Sequence, residues 1–146
     1  VAMGLSVIHA DADSDLEFYP EGAFDYVVLS RTLQATERPR AVLRQMLRIG
    51  RKAIVSFPNF GHYQVRLQLL LSGRMPRTAA LDRTWFDTPN IHMCTIRDFF
   101  DLCAEDGYRV ERWMGVDAAG GRAPWQRSVW LANLFAEQGL FLLSRA

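Results

Sequence analysis

At 146 residues and 49% hydrophobic, the chain carries enough apolar sequence for one domain with a core, so residues 1–146 are expected to form a single domain. Its 17 basic against 16 acidic residues exclude the strongly basic class of polyanion binders, so no nucleic-acid partner is expected, and no run approaches the roughly 18 apolar residues of a membrane span. Cys94 and Cys103 are too few for a disulfide framework, and Val1 to Gly4 lacks the basic flank of a secretory signal, which makes the cytoplasm the expected compartment.

Leu5 to His9 reads as a short strand running into the acidic loop Asp11 to Asp15, and Pro20, Glu21 and Gly22 turn the chain into a second strand, Phe24 to Ser30. From Pro39 to Ile49 the residues Val42, Leu43, Met46 and Leu47 recur at helical spacing, with proline suited to the first turn and Gly50 to the end. A third strand follows in Lys52 to Asn59. A strand, a helix and a strand in this order form a βαβ unit, in which ligands meet the sheet where the strands end.

His62 to Ser72 is helix-like. The stretch from Gly73 to Asn90 is irregular, with a short turn near Trp85, and long irregular connections tend to carry function. Thr95 to Asp98 resembles a capping box that opens a helix through Ile96, Phe99, Phe100 and Cys103 to Gly107. Arg109 to Val116 is expected to be a strand, Ala118 to Arg127 a loop, and Gly139 to Ser144 a final strand, the last two strands forming an antiparallel pair at a sheet edge.

The Asp11, Asp13, Asp15 spacing is that of a calcium loop, but Leu16 and Gly22 stand where glycine and glutamate are needed, and His92, Cys94 and Cys103 lack a zinc spacing, so no metal is expected. Arg40, Arg44 and Arg48 form a basic stripe on the Pro39 helix. It reads as a solvated face or, failing that, a protein contact.

The segments FDYVVLSRTLQATERPRAVLRQMLRIGRKAIVSFPNFGHYQVRLQLLLSGRMP, WFDTPNIHMCTIRDF and NLFAEQGLFLL resemble the methionine biosynthesis protein MetW family over nearly the whole chain. The resemblance implies an α/β fold, a Rossmann-like sheet of the class I S-adenosylmethionine-dependent methyltransferase type, with S-adenosylmethionine as the cofactor of the complete fold. It also implies homoserine O-acetyltransferase as a partner whose activity the protein supports. The alternative function is methyl transfer to an unknown acceptor. The superfamily's glycine-rich turn and the strand before it have no counterpart in these residues, so the sheet is expected to be incomplete at the N-terminus and the chain to be a fragment.

By the same resemblance Asp11 and Ala12 fall where the superfamily contacts adenine, and Ser30 and Thr32 follow the strand that lines the cofactor pocket. Thr32 and Gln34 are equally suited to capping the loop before Pro39. Asn59, His62, Asn90 and His92 lie in the most distinctive matching strings and, with Trp85, make the candidate acceptor or partner site, although a hydrogen-bonded structural role fits either histidine taken alone. No catalytic residue stands out.

Overall fold

The structure is a computed structural model that describes residues 11–123 and 128–145. The expected Leu5 strand lies outside the described residues, as does Trp125. Among the described residues four strands form one sheet: β1 (Phe24–Ser30), β2 (Gly50–Pro58), β3 (Tyr108–Val116) and β4 (Gln138–Arg145), in the spatial order β1-β2-β4-β3. β1 and β2 run parallel, with Phe24 opposite Gly50 and Ser30 opposite Ser56, and β4 runs antiparallel to both β2 and β3. The two late strands do pair, and the later of them sits inside the sheet.

The helix between β1 and β2, α1 (Pro39–Ile49), starts on a proline whose missing N–H costs nothing in a first turn. It buries Val42, Leu43, Met46 and Leu47 against Ala53, Val55 and Phe57 of β2. Its junction with β2 requires glycine, because a Cβ on Gly50 would lie 2.5 Å from Val27 Cγ2. The arginines on its outer side are taken up within the chain. Arg40 pairs with Glu105, and Arg48 donates to Gln45 Oε1 at 2.6 Å and to the Leu16 carbonyl at 3.0 Å.

Three more helices follow: α2 (Tyr63–Ser72), α3 (Ile96–Glu105) and α4 (Val129–Phe135). α3 opens with the expected capping box, in which Thr95 Oγ1 accepts from the Asp98 N–H at 3.2 Å and Asp98 Oδ2 accepts from the Thr95 N–H at 2.9 Å. Such caps are worth about 1 kcal/mol. Gly107, at φ 71°, then releases the chain into β3.

α3 covers the same sheet face as α1 and packs around an aromatic centre. The Phe141 ring lies 4.6 Å from that of Phe99, 5.1 Å from Phe100 and 5.7 Å from Phe57. On the opposite face, Tyr26 and Val28 of β1 stay exposed.

Candidate functional site

The carboxyl ends of β1 and β2 open onto a cavity of about 490 Å³, walled by Arg31, Phe60, Met75, Trp85, Asn90 and Met93 among others. Arg31 follows the last residue of β1 and takes a left-handed backbone, φ 55°, where a side chain is strained. What holds it there is its N–H, which donates to the Ser56 carbonyl at 2.8 Å, and its guanidinium, whose Nη2 donates to the Ala80 carbonyl at 3.0 Å. The outer wall is the irregular segment after α2, turned at Asp87, whose N–H donates to the Thr84 carbonyl at 3.1 Å.

That wall is fastened by Gln34, a side chain in the loop after β1 with 1% of its surface exposed. Its Nε2 donates to the Pro58 carbonyl at 3.0 Å and to Cys94 Sγ at 3.1 Å, while its backbone carbonyl accepts the N–H groups of Ile91 and His92 at 2.8 and 3.0 Å. Burial pushes the Cys94 thiol up to about 11, so it serves here as an apolar contact and weak acceptor and not as a nucleophile.

Of the residues that sequence reasoning placed at an acceptor or partner site, Trp85 and Asn90 line the cavity. His92 lies on the same segment, exposed, and is tied down by its backbone alone. Asn59 and His62 are buried and outside the lining. Asn59 is a junction: its Nδ2 donates to the Asn133 and Ala136 carbonyls at 2.8 and 2.7 Å, and its Oδ1 accepts from the N–H groups of Gly61 and Ile96 at 2.9 and 3.3 Å. Of the other cavity residues, Arg31 stands directly after a parallel strand and Met93 closes the irregular stretch that begins at Trp85, both places where a pocket is expected, whereas Met75 carried no signal in the sequence.

His62 is 4% exposed, and burial holds its imidazole below the usual 6.5, with Glu137 pulling more weakly the other way. The unfolded chain therefore takes up a proton near 6.5 that the folded chain accepts only at lower pH. Stability from this group is whole above that value and is withdrawn as the pH falls below it. Lowering the pH from about 7.5 to about 5 is expected to reduce the urea midpoint, and His62→Gln to flatten that dependence. An unchanged slope in the variant would assign the pH response to other groups.

Asp11, Ala12 and Thr32 meet around a separate open depression together with Asp13, Asp15 and Thr36. Ser30, at the end of β1, has its hydroxyl 3.3 Å from that of Ser56 and lies outside that lining. Asp13 is committed to structure, its carboxylate accepting the Glu37 and Arg38 N–H groups at 2.9 and 3.0 Å. Beside this depression an apolar groove runs along Leu16, Tyr19, Tyr26 and Val28. A carboxylate next to apolar walls suits the amine edge of a purine. Among the described residues no glycine lines either hollow, and those described fit the adenine end of S-adenosylmethionine and not its amino-acid end.

Among the described residues no cluster of histidine, cysteine or carboxylate side chains has the makings of a metal site, and no helix is long and apolar enough to cross a membrane. The ionisable groups lining the cavity are Arg31, Asp82 and Arg83. Two guanidiniums and one carboxylate among apolar walls can bind and orient a polar ligand.

Comparison with known proteins agrees with this architecture. Among solved structures, a SAM-dependent methyltransferase from Archaeoglobus fulgidus superposes with a TM-score of 0.62 at 12% identity, covering 97% of this chain and 68% of that one. One from Thermotoga maritima gives 0.61 at 13% identity, covering 98% and 65%. These likenesses establish a class I methyltransferase-like open sheet. At the sequence level, the bifunctional methionine biosynthesis protein MetXA/MetW of Rhodopirellula baltica is 42% identical over 103 residues, which span 70% of this chain and 16% of that protein. The family described as methionine biosynthesis protein MetW matches residues 1–143, and the chain belongs to it.

Proposed function

We propose that the chain serves methionine biosynthesis by associating with homoserine O-acetyltransferase and raising its activity. The observation that carries this reading is the Rhodopirellula baltica relative, in which MetXA and MetW are parts of one polypeptide. Fusion holds two domains at high effective concentration, and separate chains that work together need an interface to gain the same proximity.

The decisive experiment compares the initial rate of the acyltransferase with and without the purified chain. A rate rise that saturates with added chain is the expected result. An unchanged rate in the presence of folded chain overturns the proposal.

The depression at Asp11, Ala12 and Thr32 favours a second reading, S-adenosylmethionine-dependent methyl transfer. When bound, that cofactor supplies an electrophilic methyl group. The part assigned to these residues is to accept a hydrogen bond from the adenine amine and to flank its ring. Calorimetric titration with the cofactor separates the two readings, for micromolar affinity would restore methyl transfer and an absence of heat would leave the accessory role.

A further inference from the structure

Arg31 is an arginine where the backbone favours glycine. Directly after β1 it takes φ 55°, a left-handed conformation that glycine or asparagine adopts at little cost and a long side chain does not. Strain of this kind concentrates at ligand-binding positions, where the surrounding structure holds it. The side chain lines the cavity at the carboxyl ends of β1 and β2, and one N–H of its Nη2 donates to the carbonyl of Ala80, another lining residue, at 3.0 Å. That tie fixes the guanidinium and leaves its Nε and Nη1 without a partner among the described residues, where Arg31 makes no ion pair.

The same cavity holds the opposite charge, equally uncommitted. The Asp82 carboxylate makes no ion pair among the described residues, for the Arg77 guanidinium bonds the Asp82 backbone carbonyl instead, at 3.0 Å. Arg83, the remaining charge on the lining, is already paired with Asp87 at 3.1 Å. The half-buried Asn90 adds a side-chain amide that makes no hydrogen bond among the described residues, and Phe60, Met75 and Met93 add apolar wall. A cation and an anion that line one cavity without pairing with each other are complementary to a ligand carrying both charges. A dianion such as phosphate would meet Asp82 and a simple amine would meet Arg31, so a zwitterion fits better than either. The volume of about 490 Å³ lies within the span of small-molecule sites, roughly 300–1,000 Å³.

We propose that this cavity binds a free α-amino acid with an apolar side chain. Arg31 receives the carboxylate in a two-bond fork, Asp82 accepts from the ammonium group, Asn90 supplies a further hydrogen bond, and Phe60, Met75 and Met93 cover the side chain. Neither the acyltransferase nor the depression at Asp11 takes part in this binding.

Isothermal titration of the full chain with L-leucine, L-methionine and L-phenylalanine tests this, each beside its deaminated and decarboxylated analogues, which for leucine are isocaproate and isoamylamine. The tightest of the three amino acids is expected to bind with a submillimolar dissociation constant, about tenfold or more tightly than either of its analogues. Arg31→Gly, which suits the left-handed backbone, should keep the native melting profile and weaken the amino acid by a similar factor. Asp82→Asn should weaken the amino acid without weakening its deaminated analogue. The proposal fails if none of the three binds at millimolar concentration, or if folded Arg31→Gly binds as the native chain does. A deaminated analogue that binds as tightly as its amino acid overturns it by reducing the site to one for simple carboxylates. S-adenosylmethionine that displaces the amino acid, and whose own binding is lost in Arg31→Gly, would assign the cavity to that cofactor's amino-acid end and overturn it as well. Should Arg31→Gly lose its fold, Asp82→Asn and the analogues still decide.

Discussion

Asn59→Ala is expected to lower the free energy of unfolding by about 4 kcal/mol. The side chain is 1% exposed and makes four hydrogen bonds, two as donor to carbonyls around the end of α4 and two as acceptor from the N–H groups of Gly61 and Ile96. Each buried backbone group left without a partner costs about 1–3 kcal/mol, and relaxation or an entering water reduces the sum for four. Three segments that are distant in sequence lose their common tie: the end of β2, the end of α4 and the start of α3. Asn59→Asp separates the donors from the acceptors. It keeps the shape and the accepting oxygen but turns a carboxylate toward the Asn133 and Ala136 carbonyls, so its loss should equal or exceed that of alanine. Urea unfolding at neutral pH, with the slope checked for constancy, measures both. A cost below about 1 kcal/mol for alanine would mean that the junction is not what fixes α4 to the sheet.

Phe141→Ala should cost about as much, roughly 4 kcal/mol, by a different mechanism. Phe141 is fully buried on the internal strand β4, and its ring meets those of Phe57, Phe99, Phe100 and Trp113 at centroid separations from 4.6 to 6.3 Å. Truncation removes the ring's own transfer energy and leaves a cavity that a sheet strand cannot move to fill. Against a total stability of about 5–15 kcal/mol for an ordinary domain, the melting temperature should fall by about 15 °C. Phe141→Leu, which keeps most of the volume, should recover more than half of the loss. Equal melting temperatures for the alanine and leucine variants would show that the ring cluster is loosely packed.

Much of the framework was legible in the residues themselves. Alternation and β-branched runs marked β1 and β2, the Val42, Leu43, Met46, Leu47 spacing marked α1, and Thr95 with Asp98 marked the start of α3, because each signal is local and tertiary packing reinforces it. The order of the strands was not legible that way, since nothing local in Gln138 to Arg145 says that β4 enters between β2 and β3. α4 escaped notice because seven residues that expose Trp130 and Phe135 and bury Ala132 and Asn133 carry no apolar stripe.

The site was legible in outline only. The segment around Trp85 and Asn90 could be singled out by its irregularity, and the structure brings both to the cavity. Polar type alone could not reveal that Asn59 faces inward, since a buried asparagine with all its bonds satisfied and an exposed one at a pocket mouth have the same sequence signature. The leucines of α2 posed the opposite problem. Their spacing reads as a core face, and only the folded position of the helix shows that they face solvent.

The place of β4 inside the sheet also governs when a newly made chain can acquire its shape. β1 and β2 can pair as soon as both have left the ribosome, but among the described residues β3 has only β4 as a neighbouring strand, and β4 is the last of the four to be synthesised. Until Gln138 to Arg145 emerge, the open edge of β2 and the whole of β3 present unpaired backbone to the cell. Closure then joins residues as far apart in sequence as Lys52 and Ser144, a long-range step that folds slowly and is exposed to misassembly while it waits. Nascent chains stalled before residue 138 should therefore lean on chaperones more heavily than completed ones.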